Sequence, residues 1–353
     1  MKIKKRILIA PLNWGLGHAA RCIPIINALL THNFTPIIAS DGAALSLLKK
    51  EFPELESVEL PSYNIRYSKN GDFLKLKLLM HTPRIIKTIR LEQLAIERIV
   101  KTHAIDGIIS DNRFGVFHKD IPSVFITHQL KVLSGNTTRL STAIHQRIIK
   151  KFDVCWVPDY AGEPNLSGTM GHIENAELNI TYIGPLSRFQ KSAAPTEYEI
   201  MVLLSGPEPQ REILEKKLLT TFKDYNGKVL FVRGVMGTEQ SCHTSNNMTV
   251  YNFMTTEMLE KSLNTSNLII ARSGYTTLMD LAKLGKKAFF IPTPGQFEQE
   301  YLAKTMTENN WAPSCNQQEF SLEKLKSIHD FNGFELMDEE INYKTLFRLF
   351  ERE

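Results

Sequence analysis

Residues 271–304 read ARSGYTTLMDLAKLGKKAFFIPTPGQFEQEYLAK, and their pattern decides the fold. An apolar run ends at Arg272–Gly274, and a helical pattern follows it. A second apolar run, KAFFIP, then leads through a loop rich in proline and glycine into another helical pattern. Strands that alternate with helices in this way are typical of a parallel α/β sheet. Ligands of such sheets bind beyond the carboxyl ends of the strands.

The same alternation extends over the whole chain and predicts two doubly wound, Rossmann-like α/β domains that face each other across a cleft. The first domain is predicted over 1–186 and the second over 198–335, with a polar linker, SRFQKSAAPTE, over 187–197. Residues 336–353 are expected to form a helix, around Tyr343–Phe350, that returns to the first domain. The strands of the two series are predicted at RILIAP, TPIIAS, VELP, IDGIIS, IPSVFIT, DVCWVP and TYIGP, and then at EIMVLLSG, KVLFVRG, MTVYNF, NLIIARSG and KAFFIP.

Composition excludes several classes of protein. The chain has 353 residues, 42% of them hydrophobic, and a net charge of +4, which is too weakly basic to indicate a nucleic-acid partner. Its four cysteines are far apart and match no metal spacing, as expected in a reducing compartment. The basic start followed by a very short apolar run predicts a first strand rather than a signal peptide. We therefore expect a cytoplasmic protein.

The stretch PLNWGLGHAARCIP, residues 11–24, follows the first predicted strand. Gly15 and Gly17 permit backbone angles and close approaches that a side chain forbids. Pro24 predicts that the regular helix begins only near Arg21–Pro24. His18 would then stand at the carboxyl end of the strand as a proton acceptor, and the alternative is a histidine that only caps a tight turn.

The start of the helix after Arg272 is suited to a diphosphate. Ser273, Gly274 and Thr277 place N–H and hydroxyl donors at a helix N-terminus, which favours anions. Arg188, in the predicted linker, can add a bidentate guanidinium clamp on the same charge.

The order S-G-x-x-T-x-x-[D/E], then an apolar residue and proline, then a helix start with glutamine resembles the donor-binding segment of GT-B glycosyltransferases. The resemblance is to the MurG type of glycosyltransferase family 28. GLGH and VLLSGPEPQ resemble the two glycine-rich loops of that family, IPSVFITHQ its acceptor-side strand, and IGPLSRF the stretch before its linker.

The resemblance implies a UDP-sugar donor and assigns further site residues. It implies that Asp280 pairs with the ribose hydroxyls and that Gln299 and Glu300 hold the sugar hydroxyls. It also implies that the Met254 backbone meets the uracil and that Arg188 meets the diphosphate. The remaining residues of the substrate-binding set are Gly15, Gly17, Arg21, Ser205 and Gly206.

An inverting transfer needs a base that takes the proton of the acceptor hydroxyl. His18 is the predicted base and Asp111, at the end of IDGIISD, the residue that orients it; the alternative for Asp111 is to cap the following turn. His128 is the second candidate base. No metal or cofactor is expected, because the sequence has no D-x-D pair and a helix terminus with cations can neutralise the leaving diphosphate.

Other functions share this fold. G-x-G-H-x-x-R, which includes Arg21, also resembles UDP-sugar hydrolases of nonulosonate synthesis, and a UDP-sugar 2-epimerase or a non-catalytic subunit that binds nucleotide sugars stays open. The acceptor is expected to be a hydroxyl of a lipid-linked or glycan substrate. The basic segment 72–103 is predicted to be helical, with a break or a kink at Pro83. It forms either domain helices with solvated faces or a peripheral contact with anionic lipid. Its apolar residues are Leu74, Leu78, Ile85, Ile86, Ile89 and Leu91, beside Lys75, Lys77, Arg84, Lys87 and Arg90.

Overall fold

A computed structural model describes residues 4–63, 74–173, 177–235, 237, 239–334 and 340–351, without the side chains of 74–82. Contacts divide the chain into two compact units. The first contains Met1–Arg66, Lys75–Leu186 and Glu339–Glu353, and the second consists mainly of Ser187–Asp338.

The strands and helices alternate as the apolar runs predict. The strands are β1 (Arg6–Pro11), β2 (Thr35–Ser40), β3 (Ser57–Glu59), β4 (Gly107–Asp111), β5 (Ser123–Ile126), β6 (Val154–Val157), β7 (Ile180–Tyr182), β8 (Tyr198–Leu203), β9 (Val229–Val232), β10 (Cys242–Ser245), β11 (Met248–Tyr251), β12 (Ser266–Ala271) and β13 (Lys287–Phe290). The α-helices are α1 (Gly17–Thr31), α2 (Gly42–Glu51), α3 (Leu74–Thr102), α4 (Thr138–Ile149), α5 (Gln210–Thr221), α6 (Thr256–Asn264), α7 (Tyr275–Leu284), α8 (Phe297–Glu308) and α9 (Tyr343–Glu351).

The first unit has a parallel sheet in the order β3-β2-β1-β4-β5-β6-β7. This order reverses direction between β1 and β4, whose last residues, Pro11 and Asp111, are paired in register. The core lies on the faces of this sheet, where Leu8, Ile37 and Ile108 are fully buried. The open crevice of a doubly wound sheet lies at such a reversal, beyond the carboxyl ends of the two strands.

The second unit repeats this plan in the order β10-β11-β9-β8-β12-β13 and reverses between β8 and β12. One expectation is wrong here, because β10 pairs antiparallel with β11, so this sheet is not purely parallel. The residues of β10 are all exposed, which a polar edge strand tolerates. The doubly wound α/β class predicted for the chain is otherwise confirmed.

Helix α1 begins at Gly17, four residues before the predicted start, and contains Pro24. The Ala20 N–H already donates to the Leu16 carbonyl at 2.9 Å, so the first turn is formed ahead of the proline. Proline removes one donor from the helical ladder and leaves its other hydrogen bonds in place. The expectation of a late helix start is therefore wrong, and His18 belongs to the first turn of α1.

Helix α3 runs without interruption from Leu74 to Thr102 and includes Pro83. Of the two effects expected of this proline, a break or a kink, the break is not found. Residues 72 and 73, and the side chains of Leu74, Lys75, Lys77 and Leu78, lie outside the described residues. Among the described residues, no helix is both long enough and apolar enough to cross a membrane.

Helix α9 packs on the first sheet. Phe347 and Phe350 are each 1% exposed, and their rings lie edge-on to Phe34 at 5.6 and 6.5 Å between centroids. A side chain at Gly107 would place its Cβ 2.4 Å from the Phe350 ring, so the glycine makes room for this helix. Residues that follow the second unit in the sequence therefore complete the core of the first unit.

Candidate active site

The crevice of the first sheet holds His18 and Asp111. Asp111 ends β4, His18 lies in the first turn of α1, and His18 Nδ1 is 2.9 Å from Asp111 Oδ1. Asp111 is fully buried, whereas 14% of the His18 side chain is exposed. Gly15, ahead of them, has a φ of +73° and no atom within 4 Å of a Cβ built on it, so the loop before α1 is open at this position.

Arg21 stands behind this pair. Its Nε donates to Asp111 Oδ2 at 2.6 Å, and its Nη2 donates to Asp111 Oδ1 and lies 3.0 Å from His18 Nδ1. An ionised carboxylate can only accept, so the 2.9 Å contact between His18 Nδ1 and Asp111 Oδ1 is a hydrogen bond only if Nδ1 carries the proton. We therefore assign the Nδ1 proton of His18 to a hydrogen bond with Asp111, which leaves the lone pair on Nε2.

The carboxylate of Asp111 is held ionised. Burial raises the pKa of Asp111, but the charges and hydrogen bonds of Arg21 and His18 outweigh burial and keep that pKa well below its usual range. The contacts of its carboxylate are made by residues of α1, including a long one from Cys22 Sγ at 3.7 Å. This arrangement favours the orienting role of Asp111 over the cap of the following turn.

His128 reaches the same cluster from the end of β5. Arg21 Nη1 lies 3.3 Å from His128 Nδ1, and because arginine donates, Nδ1 accepts. Its Nε2 then carries the ring proton, so neutral His128 is arranged as a donor and His18 as an acceptor. His145 on α4 is also buried, and burial followed by the His128 charge lowers the pKa of His145 to about 4.

The crevice of the second sheet lies between β8 and β12. Gly206 follows β8 with a φ of +100°, and Gly274 precedes α7. A Cβ built on Gly274 meets no atom within 4 Å, and one on Gly206 meets only Thr293 Oγ1, at 3.7 Å. The start of α7 is thus open, with first-turn N–H groups that have no partner inside the helix.

Three polar side chains expected at the diphosphate or the donor sugar make hydrogen bonds within the protein. Ser273 Oγ donates to the Gln299 carbonyl at 2.7 Å. Gln299 Oε1 accepts from the Thr293 N–H, and Glu300 Oε1 accepts from the Gly295 N–H, each at 2.8 Å. The bonds of Gln299 and Glu300 fix the loop between β13 and α8, and the bond of Ser273 ties the residue before Gly274 to α8.

That loop carries two polar atoms that sequence reasoning missed. Thr293 is 4% exposed, and neither its Oγ1 nor the buried Oε1 of Gln296 has a hydrogen-bond partner among the described residues. Buried polar groups are normally satisfied, so each one without a partner needs an explanation. Both lie in the loop where a donor sugar is expected.

Asp280 on α7 is tied to the segment before β8. Ser187 Oγ donates to Asp280 Oδ1 at 2.6 Å, and the Arg188 guanidinium lies 5.0 Å from the ring centroid of Phe189. Burial raises the pKa of Asp280 to about 7, against the opposing effects of the Ser187 hydrogen bond and the Arg188 charge. The Arg188 charge thus acts on Asp280, and the two residues lie in the same unit.

The remaining predicted residues are less closely grouped. Ser205 is exposed beside Gly206, Thr277 is half-buried on α7, and Met254 Sδ accepts a hydrogen bond from Ser262 Oγ at 3.6 Å. Gly17 is the first residue of α1. A serine next to Arg188 and a threonine after a strand-ending proline carry no sequence signal of their own, which explains why Ser187 and Thr293 were missed.

The chain is similar in sequence to known glycosyltransferases. Residues 212–331 match the model of the glycosyltransferase family 28 C-terminal domain. The chain is 20% identical over 331 residues to an uncharacterized glycosyltransferase of Methanopyrus kandleri, covering 88% of this chain and 90% of that protein. It is 23% identical over 210 residues to the UDP-N-acetylglucosamine--N-acetylmuramyl-(pentapeptide) pyrophosphoryl-undecaprenol N-acetylglucosamine transferase of Haemophilus ducreyi, covering 58% and 56%.

A solved structure shows the same fold. The glycotransferase of kitacinnamycin superposes with a TM-score of 0.62 at 14% identity and covers 93% of this chain and 90% of that one. The two Rossmann-like sheets, the family 28 match and these relatives identify the chain as a glycosyltransferase of the GT-B fold whose residues 212–331 match the glycosyltransferase family 28 C-terminal domain.

Proposed function

We propose that this glycosyltransferase moves a hexosyl group from a UDP-sugar to a hydroxyl of a lipid-linked or glycan acceptor, with inversion and without a metal ion. The contact of His18 Nδ1 with buried Asp111 carries the proposal. It fixes the tautomer in which Nε2 accepts a proton, as a general base requires. The relatives named above are transferases, which favours transfer over hydrolysis, epimerisation or binding alone.

In the proposed step, the acceptor oxygen attacks the anomeric carbon as its proton passes to His18 Nε2. The bond between that carbon and the diphosphate oxygen breaks, and the electron pair leaves with UDP. Asp111 keeps the ring oriented and stabilises the imidazolium that forms. The negative charge of the leaving diphosphate is stabilised by the N-terminus of α7 and by Arg188.

The donor is proposed to bind the second unit. Gly206 and Gly274 leave open space at the crevice, Asp280 accepts from the ribose hydroxyls, and the backbone at Met254 meets the base. Thr293 Oγ1 and Gln296 Oε1, both without partners among the described residues, are proposed to contact the sugar or its diphosphate. The name of the Haemophilus relative favours a UDP-N-acetylhexosamine, and the test includes UDP-hexoses.

The test is a panel of UDP-sugars with wild-type protein, His18→Ala and Asn27→Ala, an exposed position on the same helix. We expect one UDP-sugar to raise the thermal midpoint and to yield glycosylated product only when an acceptor is added. His18→Ala should keep this binding and lose the product, and Asn27→Ala should keep both. Free sugar released at the same rate with and without acceptor would instead establish a hydrolase, and binding without turnover a non-catalytic subunit.

We also propose a peripheral contact with anionic lipid through α3. Ile86, Leu91 and Leu94 are 48%, 43% and 61% exposed, and Lys87 and Arg90 are exposed beside them. Large apolar side chains next to cations on one helix suit the interface of an anionic bilayer. Such a contact would bring the chain to a lipid-linked acceptor.

Co-sedimentation with vesicles tests this contact. Wild-type protein should bind vesicles that contain an anionic phospholipid and not purely zwitterionic ones, and added salt should weaken the binding. Leu94→Ser should reduce it, while Ser46→Ala, on the exposed face of α2, should not. Equal binding of Leu94→Ser and wild type would remove α3 from the proposal.

A further inference from the structure

The loop before His18, residues 12–16, is fastened at Asn13, its second residue. Asn13 Nδ2 donates to Asp41 Oδ2 at 3.0 Å, and Asn13 Oδ1 accepts from the Ala44 N–H at 3.3 Å. Asp41 is the residue that precedes α2. Both ends of the Asn13 amide are therefore bound to the start of the neighbouring helix.

Asp41 is held in turn by a buried arginine. Arg113 is fully buried, and its Nη1 donates to Asp41 Oδ1 at 2.7 Å. Its Nε donates to Glu92 Oε1 at 2.7 Å and its Nη2 to the Pro61 carbonyl at 2.5 Å. Because its guanidinium is hydrogen-bonded in several directions, Arg113 is held in one position. It therefore also fixes the position of Asp41.

The residues that hold the two ends of the loop are close together in the chain. Asp111 binds His18 and Arg21, at the end of the loop, and Arg113 reaches Asn13, at its beginning, through Asp41. Asn112 between them has a φ of +60°, a left-handed turn that separates the directions of its neighbours. One three-residue segment, residues 111–113 at the end of β4, thus holds both ends of the loop.

We propose that Asn13, Asp41 and Arg113, called here the Asn13 clamp, position His18 for proton transfer. This inference rests on the proposed function. Asn13 is a positioning residue, because it acts on the loop and not on the substrate. A displacement of about 1 Å at a catalytic group can cost about 100-fold in rate, so a fastened loop is a condition for turnover.

Gly42 offers an independent way to disturb the clamp. It has a φ of +51°, and a Cβ at this position would lie 2.3 Å from Asn13 Nδ2. Gly42→Ala should therefore push the Asn13 amide away from Asp41 without altering any clamp residue. Ser46→Ala is the control, because Ser46 is exposed on the same helix and its hydroxyl donates to the Gly42 carbonyl at 3.0 Å.

The first measurement is steady-state kinetics of Asn13→Ala, Gly42→Ala and the double variant. We expect kcat to fall by about 10-fold to 100-fold in each single variant, with the KM for the UDP-sugar unchanged. The double variant should be no slower than Gly42→Ala, because without the amide the added methyl has nothing to displace. Ser46→Ala should match wild type.

The second measurement does not depend on activity. Nitrogen-15 NMR of the imidazole rings reports which ring nitrogen of His18 carries the proton. Wild type and Ser46→Ala should show the Nδ1-protonated form, and Asn13→Ala and Gly42→Ala a mixture of tautomers. A wild-type protein that transfers no sugar while these spectra change would overturn the proposed function and leave the clamp standing.

Two results would overturn the clamp. One is a wild-type kcat in Asn13→Ala, with the protein folded. The other is an unchanged His18 spectrum in both single variants, which would show that the loop keeps its position without the Asn13 amide.

Discussion

The Ser187 hydroxyl donates a 2.6 Å hydrogen bond to Asp280 across 93 positions of sequence. Asp280 is the residue that the family resemblance assigns to the ribose hydroxyls of the donor. Burial nevertheless raises the pKa of Asp280 to about 7. Near neutral pH, the carboxyl is therefore divided between a neutral form and an ionised form that accepts more hydrogen bonds.

The affinity for the UDP-sugar should depend on whether the Asp280 carboxyl is protonated. Ribose hydroxyls donate best to the ionised carboxylate, so the affinity of wild-type protein for a UDP-sugar should increase from pH 6 to pH 8. The diphosphate of a UDP-sugar does not titrate in this range, whereas that of UDP does, so the sugar ester is the ligand for calorimetry. Asp280→Ala should weaken binding by about 1–3 kcal/mol at pH 8 and remove the pH dependence. An equal pH dependence in Asp280→Ala would exclude Asp280 from the site.

Protonation of Asp280 also affects the free energy of unfolding. The native state keeps the proton up to a pH of about 7, whereas an unfolded aspartate releases it near a pH of about 3.9. Between these values the native state binds more protons, so this contribution to the free energy of unfolding falls as the pH rises. The thermal midpoint of Asp280→Asn, measured at pH 5 and at pH 8 without ligand, should gain relative to wild type at the higher pH. A constant difference between the two proteins would contradict the raised pKa.

The proton acceptor can be tested by two histidine variants. His18→Ala should lower kcat by about 10²-fold to 10⁴-fold, the usual contribution of a general base. The affinity for UDP should stay unchanged, because the proposed donor contacts lie in the second unit. His128→Ala should lose less, since His128 Nδ1 accepts from Arg21. Full turnover in His18→Ala with loss of activity in His128→Ala would reverse the two roles.

Arg21 should matter more to stability than to donor binding. Removing it leaves the fully buried Asp111 carboxylate without its cation, and breaking a buried ion pair costs about 3–5 kcal/mol. Arg21→Met should therefore lower the thermal midpoint of the first unit by many degrees. Arg21→Lys, which keeps the charge but not the fork of two hydrogen bonds, should fall between Arg21→Met and wild type. Calorimetric unfolding of the three proteins gives the comparison, and equal midpoints would contradict it.

Removing the Thr293 hydroxyl should raise the stability of the free protein and lower its affinity for the UDP-sugar. This buried hydroxyl has no partner among the described residues, so Thr293→Val, of similar shape, should raise the thermal midpoint of the free protein. The same variant should bind the UDP-sugar more weakly than wild type, while Thr293→Ser keeps the hydroxyl and the affinity. A Thr293→Val protein that binds the UDP-sugar as wild type does would remove this hydroxyl from the donor site.

Most strands of both sheets are predictable from the sequence, because a strand buried on both faces is a continuous apolar run. The exposed edge strand β10, with the sequence CHTS, has no such run and was not predicted. Asp111 is predictable as the last residue of β4. His18 and Arg21 are predictable as residues that closely follow β1. The Asn13 clamp is not, because its hydrogen bonds join residues 28 and 72 positions apart whose types have no common pattern.

Helix α9 gives this chain an unusual order of assembly on the ribosome. The core of the first unit contains Phe347 and Phe350, which pack against Phe34 and Trp156. The ribosome reaches these phenylalanines only after it has made the whole second unit. Until then, the apolar side chains of the first unit that contact α9 stay uncovered. The second unit can therefore finish folding before the first.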